Sequence, residues 1–204
     1  MLFHLATPRE GAYVRFAGRE LLEVLALESA RAEAIVVGED LGTVEPGFRD
    51  ELARTGILST RVVWFEDDPP EAYPYQALGM VTTQDLPTLV GEWSGTDSAE
   101  LVSLGRPTPP EAAATVHRRL SALLPHPAPT DAVALVDDVH RRLGQSPAAL
   151  VLATLEDVVG MAARPNVPGT TVERPNWSMA LPVAIDDLPA APSALAALAE
   201  GRAH

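Results

Sequence analysis

Three short apolar segments of the chain each end in acidic side chains, and these carboxylates are the first candidates for chemistry. Glu39 and Asp40 follow the apolar run Ala34–Gly38, residues 66–68 follow a second apolar run, and Asp85 follows a third. The carboxyl ends of parallel strands meet on one side of an α/β sheet or barrel, where catalytic groups collect. The sequence therefore predicts several carboxylates around one opening, although any one of them alone is typical of a solvated loop.

Two kinds of chemistry suit such a set. In glycosyl transfer, one carboxylic acid protonates the leaving oxygen while another carboxylate attacks or stabilises an oxocarbenium-like centre. The proton donor needs a raised pKa, which burial against aromatic side chains would supply. The alternative is a Mg²⁺ or Ca²⁺ site with ligands from Glu39, Asp40, Asp67 and Asp85, but the sequence has no compact acidic loop with ligand spacing. Asp85 could also cap the helix that follows it.

The elements that must position these groups alternate between helix and strand. Apolar residues recur at helical spacing in Leu21–Ala32, about Pro46–Thr55, Leu86–Trp93, about Ser98–Leu104, Pro110–Leu124 and Asp131–Leu143. Apolar, partly β-branched runs predict strands at Ala34–Gly38, Arg61–Glu66, Leu78–Thr83 and Ala149–Ala153. Trp64 and Phe65 could supply aromatic surface at the opening, but they alternate along the second strand, so one of them belongs to the core, and we expect Phe65 to face the opening. The alternation predicts an α/β fold.

The composition of the chain excludes or disfavours several classes of function. The 204 residues carry 28 acidic and 15 basic side chains, all of the latter arginine, for a net charge of −13, which disfavours nucleic acid or an anionic membrane as partner. Cysteine is absent, so disulfides and thiolate chemistry are excluded. No run approaches the roughly 18 apolar residues of a membrane span, and Met1–Leu5 lacks the pattern of a signal peptide, so we expect a cytoplasmic protein. His117 and His140 each precede an arginine pair and are predicted to lie on helix surfaces.

Several motifs follow one another in an order that identifies a family. They are Ile35–Glu45, Gly56–Leu58 leading into Val63–Glu66, Thr82–Thr88, Leu155–Asp157, Asn166–Thr170 and Pro175–Trp177. In this order they resemble the signatures of the amylomaltase-type 4-α-glucanotransferases, or disproportionating enzymes, of glycoside hydrolase family 77. The resemblance extends from about Gly11 to Pro182.

The resemblance implies a fold and a reaction. The family fold is a (β/α)8 TIM-type barrel, of which residues 1–182 would be the incomplete C-terminal half, strands five to eight, and residues 183–204 a tail. The family transfers a segment of an α-1,4-glucan to a new 4-position on an acceptor glucan or glucose by a retaining mechanism, without metal or organic cofactor. Glu39 matches the proton donor and Asp85 the transition-state-stabilising aspartate. The substrate-binding positions implied are Gln84, Phe65, Asp67, Asp68 and Asn176.

Two departures from the family pattern set further expectations. The nucleophilic aspartate belongs to an Arg-x-Asp-His motif that in the family precedes the stretch resembling Leu2-Phe3, and the sequence has no such motif. We therefore expect a fragment without a nucleophile that is inactive alone, or one that pairs with a separate N-terminal half. Gln84 stands where the family has histidine, and it can hydrogen-bond a sugar but cannot be a cation. A non-catalytic glucan-binding or scaffold module is the alternative.

An incomplete barrel would also leave strand edges and apolar surface uncovered. The edges expected to be open are those of the predicted strands at Ala34–Gly38 and Ala149–Ala153. The inward-facing surface expected to lose its packing includes residues 36–37 and 62–63. We expect self-association through these surfaces.

Overall fold

The structure is a computed structural model that describes residues 14, 16–42 and 44–203; the segment Met1–Leu5 lies outside the described residues. Its helices are α1 (Gly18–Ala32), α2 (Phe48–Arg54), α3 (Leu89–Ser94), α4 (Thr96–Ser103), α5 (Pro110–Leu123), α6 (Ala132–Gly144), α7 (Leu155–Val158) and α8 (Ser193–Arg202). Its strands are β1 (Ser59–Val62), β2 (Ala77–Met80) and β3 (Leu150–Leu152). The predicted α/β class is confirmed.

The three strands form one parallel sheet in the order β1-β2-β3. The predicted first strand, Ala34–Gly38, is reduced to a single parallel bridge between Val37 and Leu58 beside β1. Two backbone hydrogen bonds join it to the residue before β1, from the Gly38 N–H to the Leu58 carbonyl (2.7 Å) and from the Leu58 N–H to the Val36 carbonyl (3.0 Å). Regular pairing ends there, and Ile35 is 68% exposed.

The second and third strands end earlier than predicted. β1 ends at Val62, because the N–H groups of Phe65 and Glu66 turn back to the Val62 carbonyl at 2.8 and 3.2 Å. The apolar residues 63–65 therefore form a turn rather than the end of a strand. β2 likewise ends at Met80, so that residues 81–85 form a loop. These two loops carry the candidate acids of the second and third segments.

The core lies between the sheet and the helices α3, α5, α6 and α8. Val62 and Val63 are 0% and 4% exposed within it, so the expectation that they face uncovered surface is wrong. α8 packs closely on α6: a Cβ atom at Gly201 would lie 2.1 Å from the Arg141 carbonyl oxygen. The tail beyond residue 182 thus contributes a helix to the main core.

His140 is fully buried on the inner face of α6, and the prediction of a surface position is wrong. Its Nδ1 lies 2.8 Å from the Val136 carbonyl oxygen, which requires that Nδ1–H donate. Burial lowers the pKa of His140. His117 is exposed on α5 and stacks on Trp93, with ring centroids 4.7 Å apart.

α1 is amphipathic but has no buried residue. Leu21, Val24 and Leu25, which share one face of the helix, are 59%, 57% and 46% exposed. This face of α1, and Ile35 on the bridged segment, are thus exposed apolar surface. Among the described residues, no helix is both long enough and apolar enough to cross a lipid bilayer.

Candidate active site

An open cleft of about 530 Å³ lies where the bridged segment, β1 and β2 end. It brings together four of the residues singled out from the sequence, namely Glu39, Phe65, Gln84 and Asp85. Its walls also include Val37, Leu41, Gly42, Thr60, Leu78, Met80, Thr83 and Leu86. Both predicted catalytic carboxylates thus line one cavity.

The loop that carries Glu39 is anchored by the residue next to it. Asp40 is fully buried, and its Oδ1 accepts a hydrogen bond from the Thr60 N–H at 2.7 Å. Its Oδ2 accepts from Arg49 Nε at 2.7 Å and lies 3.5 Å from the Arg61 guanidinium. A buried carboxylate needs such partners, and these leave Asp40 as a structural group that holds its neighbour at the cleft.

Glu39, the predicted proton donor, is not buried against aromatic rings as expected. Glu39 is exposed, and its Oε1 accepts a hydrogen bond from the Leu41 N–H at 2.8 Å within its own loop. Trp64 is only 2% exposed and packs in the core, where its Nε1–H donates to the Pro87 carbonyl at 3.2 Å. Phe65 is 49% exposed and lines the cleft. The turn after Val62 separates the two aromatic side chains.

Asp85 is held from three directions. Its Oδ1 accepts a hydrogen bond from Asn166 Nδ2 at 2.6 Å, and Gln84 Nε2 lies 3.4 Å from its Oδ2. Its backbone carbonyl accepts from the Arg164 guanidinium at 3.1 Å. The interpretation of Asp85 as a helix cap is wrong, because the Thr88 hydroxyl caps α3 instead, accepting from the backbone N–H three residues later at 3.0 Å.

A second buried carboxylate holds the start of α3, the helix that follows the loop of Asp85. Asp157 is 1% exposed, and its Oδ1 accepts a hydrogen bond from the Leu89 N–H at 2.7 Å, at the start of α3. Burial raises the pKa of Asp157 to about 6, although this hydrogen bond opposes the rise. A Cβ atom at Gly91 would lie 2.2 Å from the Ala162 carbonyl oxygen, so α3 contacts the chain after α7 at backbone distance.

Two arginines stabilise the loop that follows α7 and carries Asn166. The Arg164 guanidinium pairs with Asp97 at 2.8 Å, and both side chains are more than nine-tenths buried. Arg174 pairs with Glu100 at 2.8 Å and donates to the carbonyls of Arg164 (2.6 Å) and Pro165 (3.2 Å). Asn166 lies between these two clamps. Sequence reasoning missed Arg164 and Asn166 as site residues, although the Asn-Val-Pro-Gly-Thr motif was a signal for the latter.

Three predicted substrate contacts lie elsewhere. Asp67 and Asp68 line a separate pocket of about 270 Å³, where Arg119 of α5 pairs with Asp67 at 2.5 Å. The hydrogen bond and the positive charge from Arg119 hold the pKa of Asp67 below its usual range. The Asn176 amide is used within its own loop, since Nδ2 donates to the Thr170 hydroxyl (2.8 Å) and carbonyl (3.1 Å). The structure brings none of the three to the cleft.

The proposed cation ligands are likewise separated. Asp40 is occupied by Arg49 and the Thr60 N–H, and Asp67 belongs to the other pocket. Within residues 14, 16–42 and 44–203, no cluster of three or more His, Asp or Glu side chains is placed to hold a metal ion.

Comparison with known sequences gives a consistent set of relatives. The profile of the family described as 4-alpha-glucanotransferase (Glyco_hydro_77) matches residues 4–185. The 4-alpha-glucanotransferase of Mycobacterium tuberculosis is 39% identical over 197 residues, an alignment that covers 86% of this chain and 27% of the relative. The enzyme of the same name from Haemophilus influenzae is 30% identical over 195 residues and is covered to 28% of its length. The chain thus spans little more than a quarter of these relatives.

Solved structures agree on the fold. The amylomaltase from Corynebacterium glutamicum superposes with a TM-score of 0.72 at 33% identity, over 85% of this chain and 28% of that one. The amylomaltase from Streptococcus agalactiae in complex with acarbose superposes with a TM-score of 0.64 over 94% of this chain and 35% of that one. At 19% identity, the second likeness supports the fold alone.

Proposed function

Because the chain belongs to the 4-alpha-glucanotransferase family, we propose that it carries two catalytic carboxylates of a retaining transfer between α-1,4-glucans. In this proposal Glu39 is the acid/base and Asp85 the transition-state stabiliser. The observation that carries the proposal is that both carboxylates line the same open cleft, although 46 residues of sequence separate them. The cleft wall also includes Thr60 from β1 and Leu78 and Met80 from β2.

The reaction assigns a step to each group. Glu39 gives its proton to the glycosidic oxygen as the bond to the leaving glucan breaks, and a nucleophilic carboxylate forms a bond to the anomeric carbon. Glu39 then takes a proton from the 4-hydroxyl of the acceptor, which displaces the nucleophile and restores the original anomeric configuration. Asp85 stabilises the positive charge that develops on the sugar.

Two cleft residues suit sugar recognition. Phe65 presents half of its side-chain surface to the cleft and offers an apolar face for a pyranose ring. Gln84 is exposed, and its amide can both donate to and accept from sugar hydroxyls. The geometry gives no support to substrate contacts by Asp67, Asp68 or Asn176.

The nucleophile is proposed to come from polypeptide outside these 204 residues, since the sequence contains no Arg-x-Asp-His motif. The bridged segment at residues 36–38 and the strands β1, β2 and β3 would then correspond to strands five to eight of a (β/α)8 barrel. The remaining strands, joined to the chain or supplied separately, would complete the barrel over the exposed surface of α1 and Ile35. Without them, we expect the chain to self-associate through that surface.

A non-catalytic glucan-binding module is the second candidate. It is favoured by the exposure of Glu39, whose carboxylate is engaged by the N–H of its own loop. Such a module would bind maltooligosaccharides in the cleft through Phe65 and Gln84 without transferring them.

A hybrid enzyme separates the two candidates. In the 4-alpha-glucanotransferase of Mycobacterium tuberculosis, the matching segment is replaced by residues 4–204 of this chain, so that α8 stays packed on α6. The release of glucose and longer glucans from maltotriose is then measured. The hybrid should transfer glucan, and Glu39→Gln or Asp85→Asn should each lower kcat by ~10³-fold. Asp67→Asn makes the same chemical change at the pocket that Arg119 closes, and should leave kcat and KM near those of the parent.

The result that contradicts the catalytic proposal is a folded hybrid that binds maltooligosaccharide but does not transfer it. The unmodified 204-residue chain is assayed alongside and should show no transfer by itself. If it does turn over maltotriose and Glu39→Gln abolishes that turnover, the nucleophile lies within these residues and the account of its source is wrong.

A further inference from the structure

The shortest polar contact on the Asp85 carboxylate comes from a residue with no assigned role. Asn166 Nδ2 donates to Asp85 Oδ1 at 2.6 Å across a sequence separation of 81 residues. Both side chains are half-buried at the edge of the cleft. A hydrogen bond of this length between elements so far apart restricts the rotation of the carboxylate.

The contact distinguishes the two oxygens of the carboxylate. Among the residues that the structure describes, Oδ1 is occupied by Asn166, whereas the one contact to Oδ2 is Gln84 Nε2 at 3.4 Å, a distance at which a hydrogen bond is weak. Oδ2 is therefore the oxygen that a ligand in the cleft would meet. Since the amide of Asn166 is neutral, it holds the carboxylate without placing a positive charge where positive charge must be stabilised.

The same loop also fixes the backbone of Asp85. Arg164, two residues before Asn166, donates to the Asp85 carbonyl at 3.1 Å while its own charge is paired with Asp97. Arg174 holds the Arg164 carbonyl at 2.6 Å. Because these backbone contacts do not involve the Asn166 side chain, its removal should release the carboxylate and leave the loop in place.

We propose that Asn166 is a positioning residue for Asp85: its amide turns the carboxylate so that Oδ2 faces the substrate. This inference rests on the proposed function for its consequence in catalysis, but the positioning itself can be measured without activity.

The direct test is the crystal structure of the hybrid enzyme described above, in which the orientation of the Asp85 carboxylate is compared between the parent and the Asn166 variants. Asn166→Asp has the same shape but puts a carboxyl oxygen in place of the donor, so the Asp85 carboxylate should rotate away from it. Asn166→Ser, which shortens the side chain and removes the amide, should leave the carboxylate in more than one orientation.

Asn176→Asp is the matched control. Asn176 belongs to the same loop, and its amide contacts Val167 and Thr170 but not Asp85. The control should leave the orientation of the Asp85 carboxylate unchanged even where it lowers the melting temperature. The same displacement of the carboxylate in Asn166→Asp and Asn176→Asp, or no displacement in either Asn166 variant, would overturn the inference.

In the hybrid enzyme, Asn166→Ser should lower kcat by ~10-fold with little change in KM. A purely structural residue would lower the amount of folded enzyme and leave both the orientation of the Asp85 carboxylate and the kcat per folded molecule unchanged. If the carboxylate moves as expected while the unmodified hybrid transfers no glucan, positioning stands and the proposed function fails. If the hybrid is active but neither the carboxylate orientation nor kcat changes in Asn166→Ser, the function stands and the positioning role is refuted.

Discussion

Asp157 is a carboxyl group buried beneath the candidate active site, and replacing it with asparagine should change how stability depends on pH. It is 1% exposed and accepts a hydrogen bond from the Leu89 N–H at 2.7 Å. Burial raises the pKa of Asp157 from 3.8 to about 6. The folded protein therefore holds this proton more tightly than the unfolded chain does.

The sign and size of the effect follow from these two pKa values. Between pH 3.8 and about pH 6 the unfolded chain has lost the proton while the folded protein still binds it, so stability falls as pH rises through this window. A difference between 3.8 and about 6 corresponds to about 3 kcal/mol, most of which is lost between pH 4 and pH 7. Asp157→Asn keeps an oxygen for the Leu89 N–H but removes the titrating group.

Urea unfolding of both proteins from pH 4 to pH 7 measures the difference directly. The free energy of unfolding of Asp157→Asn, relative to the parent, should increase by about 2 kcal/mol across this range. Asp186→Asn, which removes the same charge from an exposed position in the short 3-10 helix Ile185–Asp187, serves as the control and should give a flat difference. A constant difference for Asp157→Asn, or one that decreases with pH, would refute the burial argument.

Four further outcomes are expected. Since burial lowers the pKa of His140, the parent should lose stability as pH falls below 6.5, and His140→Gln should lose less in urea unfolding between pH 7.5 and pH 5. Gly201→Ala should lower Tm by about 5 °C in calorimetry, because its Cβ would meet the Arg141 carbonyl oxygen at 2.1 Å. Asp40→Asn should lower the free energy of unfolding by about 2 kcal/mol, because it removes the charge paired with Arg49. The isolated chain should elute as an oligomer or aggregate in size-exclusion chromatography, and a monodisperse monomer would contradict self-association.

Helices α1 to α6 were predictable because each carries its own pattern, whereas the four-residue α7 was not predicted. Pro110–Leu124 was predicted and α5 spans Pro110–Leu123, since apolar spacing and a proline in the first turn are local signals. Strand ends are not local. Val63–Phe65 is more apolar than β1, but the chain turns there because β2, its partner, ends at Met80. The length of a strand depends on its neighbour, which a single segment of sequence does not contain.

The sequence contained a signal for the burial of His140, but the prediction relied on the arginine pair that follows it. The arginine pair after it suggested a surface position, yet it lies four residues after Val136 and three before Leu143, both of which are buried. At helical spacing these residues share one face of α6. The arginines follow on the outer side of the helix, so the pair indicates the exposed face of α6 and not the position of the residue before it.

The sequence predicted some residues of the candidate site and not others, again because part of the information lies in distant segments. An acid that follows a strand begins at the carboxyl edge of the sheet, and this places Glu39 and Asp85 at the cleft. Asp67 follows a strand equally well but lies in another pocket, because Arg119 of α5 pairs with it there. Asp85 is instead bound by Asn166, from a loop about 80 residues further along the chain. The strand before an acid sets the edge of the sheet at which the acid emerges. For Asp67 and Asp85, a partner distant in sequence then determines whether the side chain faces the cleft.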